Sequence, residues 1–192
     1  MRRPVRLWFV FLLFAAAGSA AQEAQHPRTP APAPPPRSAP TPPPEAHEFD
    51  FLLGAWDIDI ASKDPNLPPK MRGRWTAKRG GDGFLIEDEY RVFDDSGGTA
   101  YLGETFRAYD VAAKRWEFRF VEPFTGKWHE GTGHREGNEM HLEQRGPSSI
   151  LRIRYYNIGP DRFSWVGDMS FDGGKTWLEA TLRIEARRAS AQ

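Results

Sequence analysis

The chain of 192 residues contains no cysteine. That excludes disulfides, thiol nucleophiles and cysteine-ligated metals, and it leaves the core alone to hold the fold. Net charge is also lacking, since 26 basic residues balance 26 acidic ones. Setting aside residues 1–44, which hold Arg2, Arg3, Arg6, Arg28, Arg37 and Glu23, leaves 21 basic and 25 acidic residues, a net of −4. Nucleic acid needs a basic face, so it is not an expected partner. No apolar run reaches the roughly 20 residues of a typical membrane helix. There is no Gly-x-Ser-x-Gly, no Gly-x-Gly-x-x-Gly opening a helix and no His-Glu-x-x-His. The usual signatures of serine hydrolases, dinucleotide enzymes and zinc proteases are therefore missing. No repeat of 20 to 50 residues is visible.

What is present begins with an address label. Arg2, Arg3 and Arg6 precede an apolar run from Leu7 to Ala17, and Gly18, Ser19, Ala20 and Ala21 supply a small-residue cleavage site. Residues 1–21 are expected to be a signal peptide, which implies export to the periplasm or beyond. The alternative is a retained membrane anchor. Residues 22–44 are proline-rich and suit an extended, disordered spacer. Residues 45–188 make one domain of ordinary size, followed by a tail at 189–192.

Within that domain the hydrophobic period is two. Residues 45–53 read as a short helical turn that Gly54 breaks. Trp56, Ile58 and Ile60 then alternate with Asp57 and Asp59, the pattern of a half-buried strand. Strands follow at about 70–79, 84–93, 99–109, 115–122, 126–135, 139–145 and 149–157, with a final hairpin around Gly173 and Gly174. Gly137 and Asn138 fit a two-residue type II′ turn, which sets Glu136 opposite Glu139 and His134 opposite His141. In the last hairpin, Asp172 facing Lys175 pairs Met169 with Leu178, Gly167 with Ala180, Trp165 with Leu182 and Phe163 with Ile184. That register puts apolar or small residues on one face and polar ones on the other. Ten strands joined by short loops favour an all-β, up-and-down antiparallel barrel over a two-sheet sandwich.

The Gly54-Ala55-Trp56 opening after a helical turn resembles that of the calycins, the lipocalin and fatty-acid-binding-protein superfamily. The stretch from Phe49 to Asp57 also resembles an uncharacterised bacterial domain family that reads Phe-Asp-Phe-x-Leu-Gly-x-Trp-Asp there. Tyr109 with Asp110, and Lys114 with Trp116, match its middle segment. Residues 170–177 match its late Ser-x-Asp-Gly-Gly-Lys-Thr-Trp. The resemblance implies a calycin-like barrel in which Trp56 packs over the closed end against a late arginine, with Arg183 and Arg187 as candidates. Ser170, Asp172, Gly174, Thr176 and Trp177 also match the Asp-box of sialidase propellers, where the motif shapes a turn. These residues, with Gly54 and Trp56, are expected to be structural.

The expected function is binding of a small hydrophobic or aromatic ligand inside the barrel. Trp75, Tyr90, Phe118, Phe120, His129, Tyr155 and Trp165 are its candidate wall. An enzyme is the alternative, using an acid–base pair drawn from Asp88, Glu104 and His129. Glu104 is inward only if Leu102, Phe106 and Ala108 are. Asp88 would otherwise pair with an arginine such as Arg107 or Arg119. A third alternative is a solid-cored structural protein, since six of the seven tryptophans lie in the domain. His134, His141 and Glu143 share a face and form a candidate metal site. No cofactor is expected, and haem in particular lacks the late histidine that haem-binding calycin relatives use, because none follows His141.

Overall fold

The computed structural model describes residues 39–190; the expected signal peptide and most of the proline-rich spacer lie outside them. Two 3₁₀ turns, Pro44–His47 and Asp50–Leu52, stand where one helical turn is expected from the sequence. Ten strands follow: β1 (Gly54–Ser62), β2 (Lys70–Gly80), β3 (Leu85–Phe93), β4 (Thr99–Asp110), β5 (Arg115–Glu122), β6 (Lys127–Glu136), β7 (Glu139–Arg145), β8 (Ile150–Tyr156), β9 (Arg162–Ser170) and β10 (Leu178–Arg188). Each pairs antiparallel with its sequence neighbours, and β1 pairs with β10, so the sheet is a closed barrel without edges.

Alternation drives the closure. Trp56, Ile58 and Ile60 of β1 are buried while Asp57 and Asp59 face out. Gly73, Trp75 and Ala77 of β2 are buried likewise. The β6–β7 hairpin has the register its turn residues dictate, with His134 opposite His141. Gly137 takes φ 58°, as the first position of a type II′ turn requires.

The last hairpin departs from its expected register. Residues 171–177 form the loop instead of Gly173 and Gly174 alone, because the Asp172 carboxylate draws in local donors. It accepts hydrogen bonds from the Lys175 and Thr176 amides, both 2.9 Å, and from the Thr176 hydroxyl at 2.7 Å. Met169 still pairs with Leu178, but a bulge follows. Ala180 sits at φ 51° and donates its amide to Asp168 Oδ1 at 2.7 Å instead of to the ladder. Beyond the bulge the pairs are Gly167 with Leu182, Trp165 with Ile184 and Phe163 with Ala186. The slip is two residues, so Leu182, Ile184 and Ala186 share the inward parity, but at the bulge Thr181 is buried and Leu178 is exposed, against the expected faces.

The 3₁₀ turns plug one end of the barrel. Phe49 meets Trp116 edge-on at 4.8 Å and Tyr155 at 5.8 Å; Phe51 meets Phe163 at 5.7 Å. Trp56 donates its indole N–H to Leu52 O at 2.7 Å, and Trp116 donates to Glu48 at 2.8 Å. Phe49, Leu52 and Trp56 are completely buried. Burying side chains of this size stabilises by about 2–3 kcal/mol each. The loops at 63–69, 94–98, 123–126, 146–149 and 171–177 lie at the opposite end, where no plug stands among the described residues.

Candidate functional site

The plug divides the barrel into a packed floor and an open chamber. On the floor, Trp75, Trp116, Phe118, Tyr155, Phe163 and Trp165 are buried against one another. Toward the unplugged end the inner wall is looser. Met71, Tyr90, Tyr101, Phe120, Leu151 and Leu182 are only partly buried and line a concavity. That concavity totals about 2080 Å³ and spills over the rim onto the outer face of β1 and β10, where Asp57, Asp59 and Arg187 bound it. The chamber inside the wall is a part of this volume.

Three glycines shape the wall. A Cβ on Gly103 would fall 2.4 Å from the Phe120 ring, and one on Gly131 would fall 2.3 Å from the Phe118 ring. On Gly167 it would meet the Trp165 ring at 2.6 Å. Each aromatic side chain thus lies down over a glycine on the wall rather than standing up into the lumen.

The floor holds a buried polar cluster. Asp88 of β3 and Arg107 of β4 form an ion pair with both side chains almost inaccessible. Trp75 donates its indole N–H to Asp88 Oδ1 at 2.7 Å, and Arg107 donates to the Tyr155 hydroxyl at 3.3 Å. Arg107 also lies 5.2 Å from the centre of the Phe49 ring, and its Nε is buried without a partner. Burial pushes the Arg107 pKa down, while the Tyr155 hydroxyl acts the other way. Burial pushes the Tyr155 phenol up, and Arg107 opposes it.

The seven expected wall residues, Trp75, Tyr90, Phe118, Phe120, His129, Tyr155 and Trp165, all border the concavity. Tyr90, Phe120 and His129 belong to the open half and the other four to the floor. The three acid–base candidates do not come together. Asp88 is held by Arg107 on the floor. His129 Nε2 lies 3.1 Å from Glu122 Oε1 near the mouth. Glu104 is on the outer wall with Leu102, Phe106 and Ala108, so the condition for its being inward is not met. The inner face of β4 is instead Tyr101, Gly103, Thr105, Arg107 and Tyr109, with Gly103, Thr105 and Arg107 buried.

Sequence reasoning missed Tyr101 and Glu122 in the wall. β4 reads ambiguously because its inward face carries the more polar set. Pairing supplies the missing signal: Tyr90, which is inward, stands opposite Gly103, so the odd-numbered residues of β4 share its face.

Outside the barrel, His134 and His141 stack at 5.8 Å. Glu143 faces Arg145 and Arg152, and His141 faces Glu136 and Glu139. Among the described residues no group of three or more acidic or histidine side chains is arranged to hold a metal ion. The arginine over Trp56 is neither Arg183 nor Arg187 but Arg188, whose guanidinium carbon sits 3.7 Å from the ring centre. Arg187 instead donates to Asp59 at 2.7 Å across the outer wall. Arg188 shares the parity of the inward Ile184 and Ala186, a cue present in the sequence.

The Asp-box is a turn device in this chain. Ser170 donates to Asp172, the Gly174 amide donates to Ser170, and Trp177 donates to Gly174 O at 3.1 Å. Arg152 stacks on the Trp177 ring at 3.7 Å.

Large apolar side chains gather round the mouth. Leu67, Phe124, Trp128, Phe171 and Leu178 are exposed, and all lie in or beside the loops of the open end.

No family model matches the chain, so the resemblance to an uncharacterised bacterial family gains no support from that direction. No curated protein matches it either. Solved structures do match in shape. Rv2717c from M. tuberculosis superposes with a TM-score of 0.58 at 18% identity, over 78% of this chain and 100% of that one. The S-type phycobiliprotein lyase CPES from Guillardia theta gives 0.55 at 12% identity, over 75% of this chain and 92% of its own. At these identities the likeness is one of fold, a closed ten-stranded antiparallel barrel.

Proposed function

We propose that this protein binds a small, largely apolar molecule in the open half of its barrel. The observation that carries the reading is the one-ended chamber: the floor is plugged by the 3₁₀ turns, while Met71, Leu151 and Leu182 remain partly uncovered above it. Partly covered apolar side chains inside a closed wall gain free energy when a ligand removes them from water. The glycines that let Phe118, Phe120 and Trp165 lie flat support it, because they keep space open that ordinary side chains would fill. The apolar residues around the mouth suit entry of a poorly soluble molecule. A neighbour of the same fold titled a phycobiliprotein lyase is compatible with a barrel whose work involves another molecule.

Export belongs to the same proposal and rests on the sequence of residues 1–21. So does membership of the bacterial family that the Phe49–Asp57 and 170–177 motifs suggest.

Binding is tested by native mass spectrometry of protein purified from its exported fraction, with displacement of the uncharged probe N-phenyl-1-naphthylamine as the solution assay. Probe fluorescence that rises with the protein and saturates at one site is expected. A chain that carries nothing and leaves the probe dark ends the proposal.

A further inference from the structure

The chamber has two unlike walls, and it offers an entering anion no free cation. On one side, β8, β9, β10, β1 and β2 present Leu151, Met169, Leu182, Ile60 and Met71, all apolar. On the other, β3 to β7 place Tyr90, Tyr101, Glu122, His129 and Gln144 on neighbouring strands. Tyr90 and Tyr101 meet edge-on at 5.9 Å. Of the ionised groups on the inner face, Arg107 is neutralised by Asp88. Glu122 has both oxygens engaged: Oε1 faces His129 at 3.1 Å, and Oε2 accepts from Thr125 at 3.0 Å. Lys70, Arg72, Arg183 and Arg187 border the concavity only from the outer parity of β2 and β10, and Arg188, of inward parity, is held at the plugged end over the Trp56 ring and on the Leu53 and Pro160 carbonyls, away from the chamber. Among the described residues, no unmatched cation faces the chamber.

From this we infer the class of ligand: an uncharged, mostly apolar molecule with hydroxyl or carbonyl oxygen along one edge, and not a carboxylate. The inference rests on the binding proposal above and specifies its substrate class. An apolar flank fits the β8-to-β2 wall, and the oxygens meet the phenols and the Gln144 amide. Burial raises the pKa of both Tyr90 and Tyr101, with Glu122 adding to the effect at Tyr101, so both phenols stay protonated as donors. A carboxylate entering here loses its hydration and gains no cation in return, while Glu122 repels it.

The test compares three probes of one shape, each displacing N-phenyl-1-naphthylamine at pH 7.5: 4-pentylphenol, pentylbenzene and 4-pentylbenzoate. The phenol is expected to bind several-fold more tightly than the hydrocarbon and at least tenfold more tightly than the benzoate. Tyr101→Phe should narrow the gap between phenol and hydrocarbon, with a far-ultraviolet circular dichroism spectrum like the parent's showing that the variant is folded. Glu122→Gln should lessen the penalty on the benzoate. Benzoate binding equal to or tighter than phenol overturns the inference and leaves the binding proposal standing. If the naphthylamine probe binds but the phenol holds no advantage over the hydrocarbon, the polar wall plays no part and the inference fails. If neither that probe nor any of the three compounds binds, the chamber proposal itself fails.

Discussion

The guanidinium of Arg188 lies 3.7 Å above the indole of Trp56, joining the last strand to the first where the barrel closes. Its Nη1 donates to Leu53 O and its Nη2 to Pro160 O, the latter at 2.9 Å. Gly54 makes room: it takes φ +100°, and a Cβ there would fall 2.8 Å from Arg188 Nη1. The Gly-x-Trp opening is thus half of a clasp whose other half is 134 residues away.

Replacing Arg188 by Ala removes the stacking and the carbonyl contacts and is expected to cost about 1–2 kcal/mol. Gly54→Ala should cost a similar amount through its backbone conformation and the collision. Urea unfolding measures both, with the slope unchanged if only stability is affected.

The Asp88–Arg107 pair responds differently to single and double replacement. Arg107→Leu leaves a buried carboxylate unpaired, and Asp88→Leu leaves a buried guanidinium unpaired. Each single change is expected to cost about 3–5 kcal/mol. The double variant should lose clearly less than the sum, as the four-cornered cycle of unfolding free energies will show. Full additivity would mean that the two groups do not interact.

Gly103→Ala tests the role of glycine in keeping the chamber open. The nearest atoms to the added methyl belong to the Phe120 ring, a side chain with room to swing inward. Affinity for N-phenyl-1-naphthylamine should fall several-fold, with only a modest loss of stability, about 1 kcal/mol. Gly131→Ala should be worse for stability, because Glu143 O of the backbone lies 2.4 Å from the new Cβ and cannot move aside as freely.

The Asp-box loop should show an acid-dependent contribution. Hydrogen bonds from Thr176 and Ser170 hold the Asp172 pKa down at about 2. Its unfolded value is near 3.9. Because the folded value is the lower one, the stabilisation is fully present above about pH 4 and is lost as pH falls toward 2. The difference in thermal midpoint between the parent and Asp172→Ala should therefore shrink between pH 4.5 and 2.5. A constant difference would separate the loop's stability from the ionisation of that carboxylate.

Much of this protein is legible in its residues. Strict alternation along β1, β2 and β3, and turn residues at Gly137 and Asn138, set the strands, their faces and one register before any coordinates. These features are local: a side-chain period of two and a glycine at positive φ need no distant partner. The β9–β10 register was not legible beyond Met169 and Leu178, because the bulge at Ala180 depends on Asp168 across the ladder. The inward face of β4 was hidden too. Apolar-inward reasoning selects Leu102, Phe106 and Ala108, whereas a neighbouring strand's Asp88 draws Arg107 inside. Sequence by itself determined that a sheet of ten strands forms, since hydropathy repeats along each strand. Only the closed tertiary structure decided that the floor is packed and the mouth open, that Arg188 is the arginine over Trp56, and that the chamber offers an anion no free cation. Each of those depends on residues far apart in the chain being brought within a few ångströms, where burial strengthens the electrostatics between them.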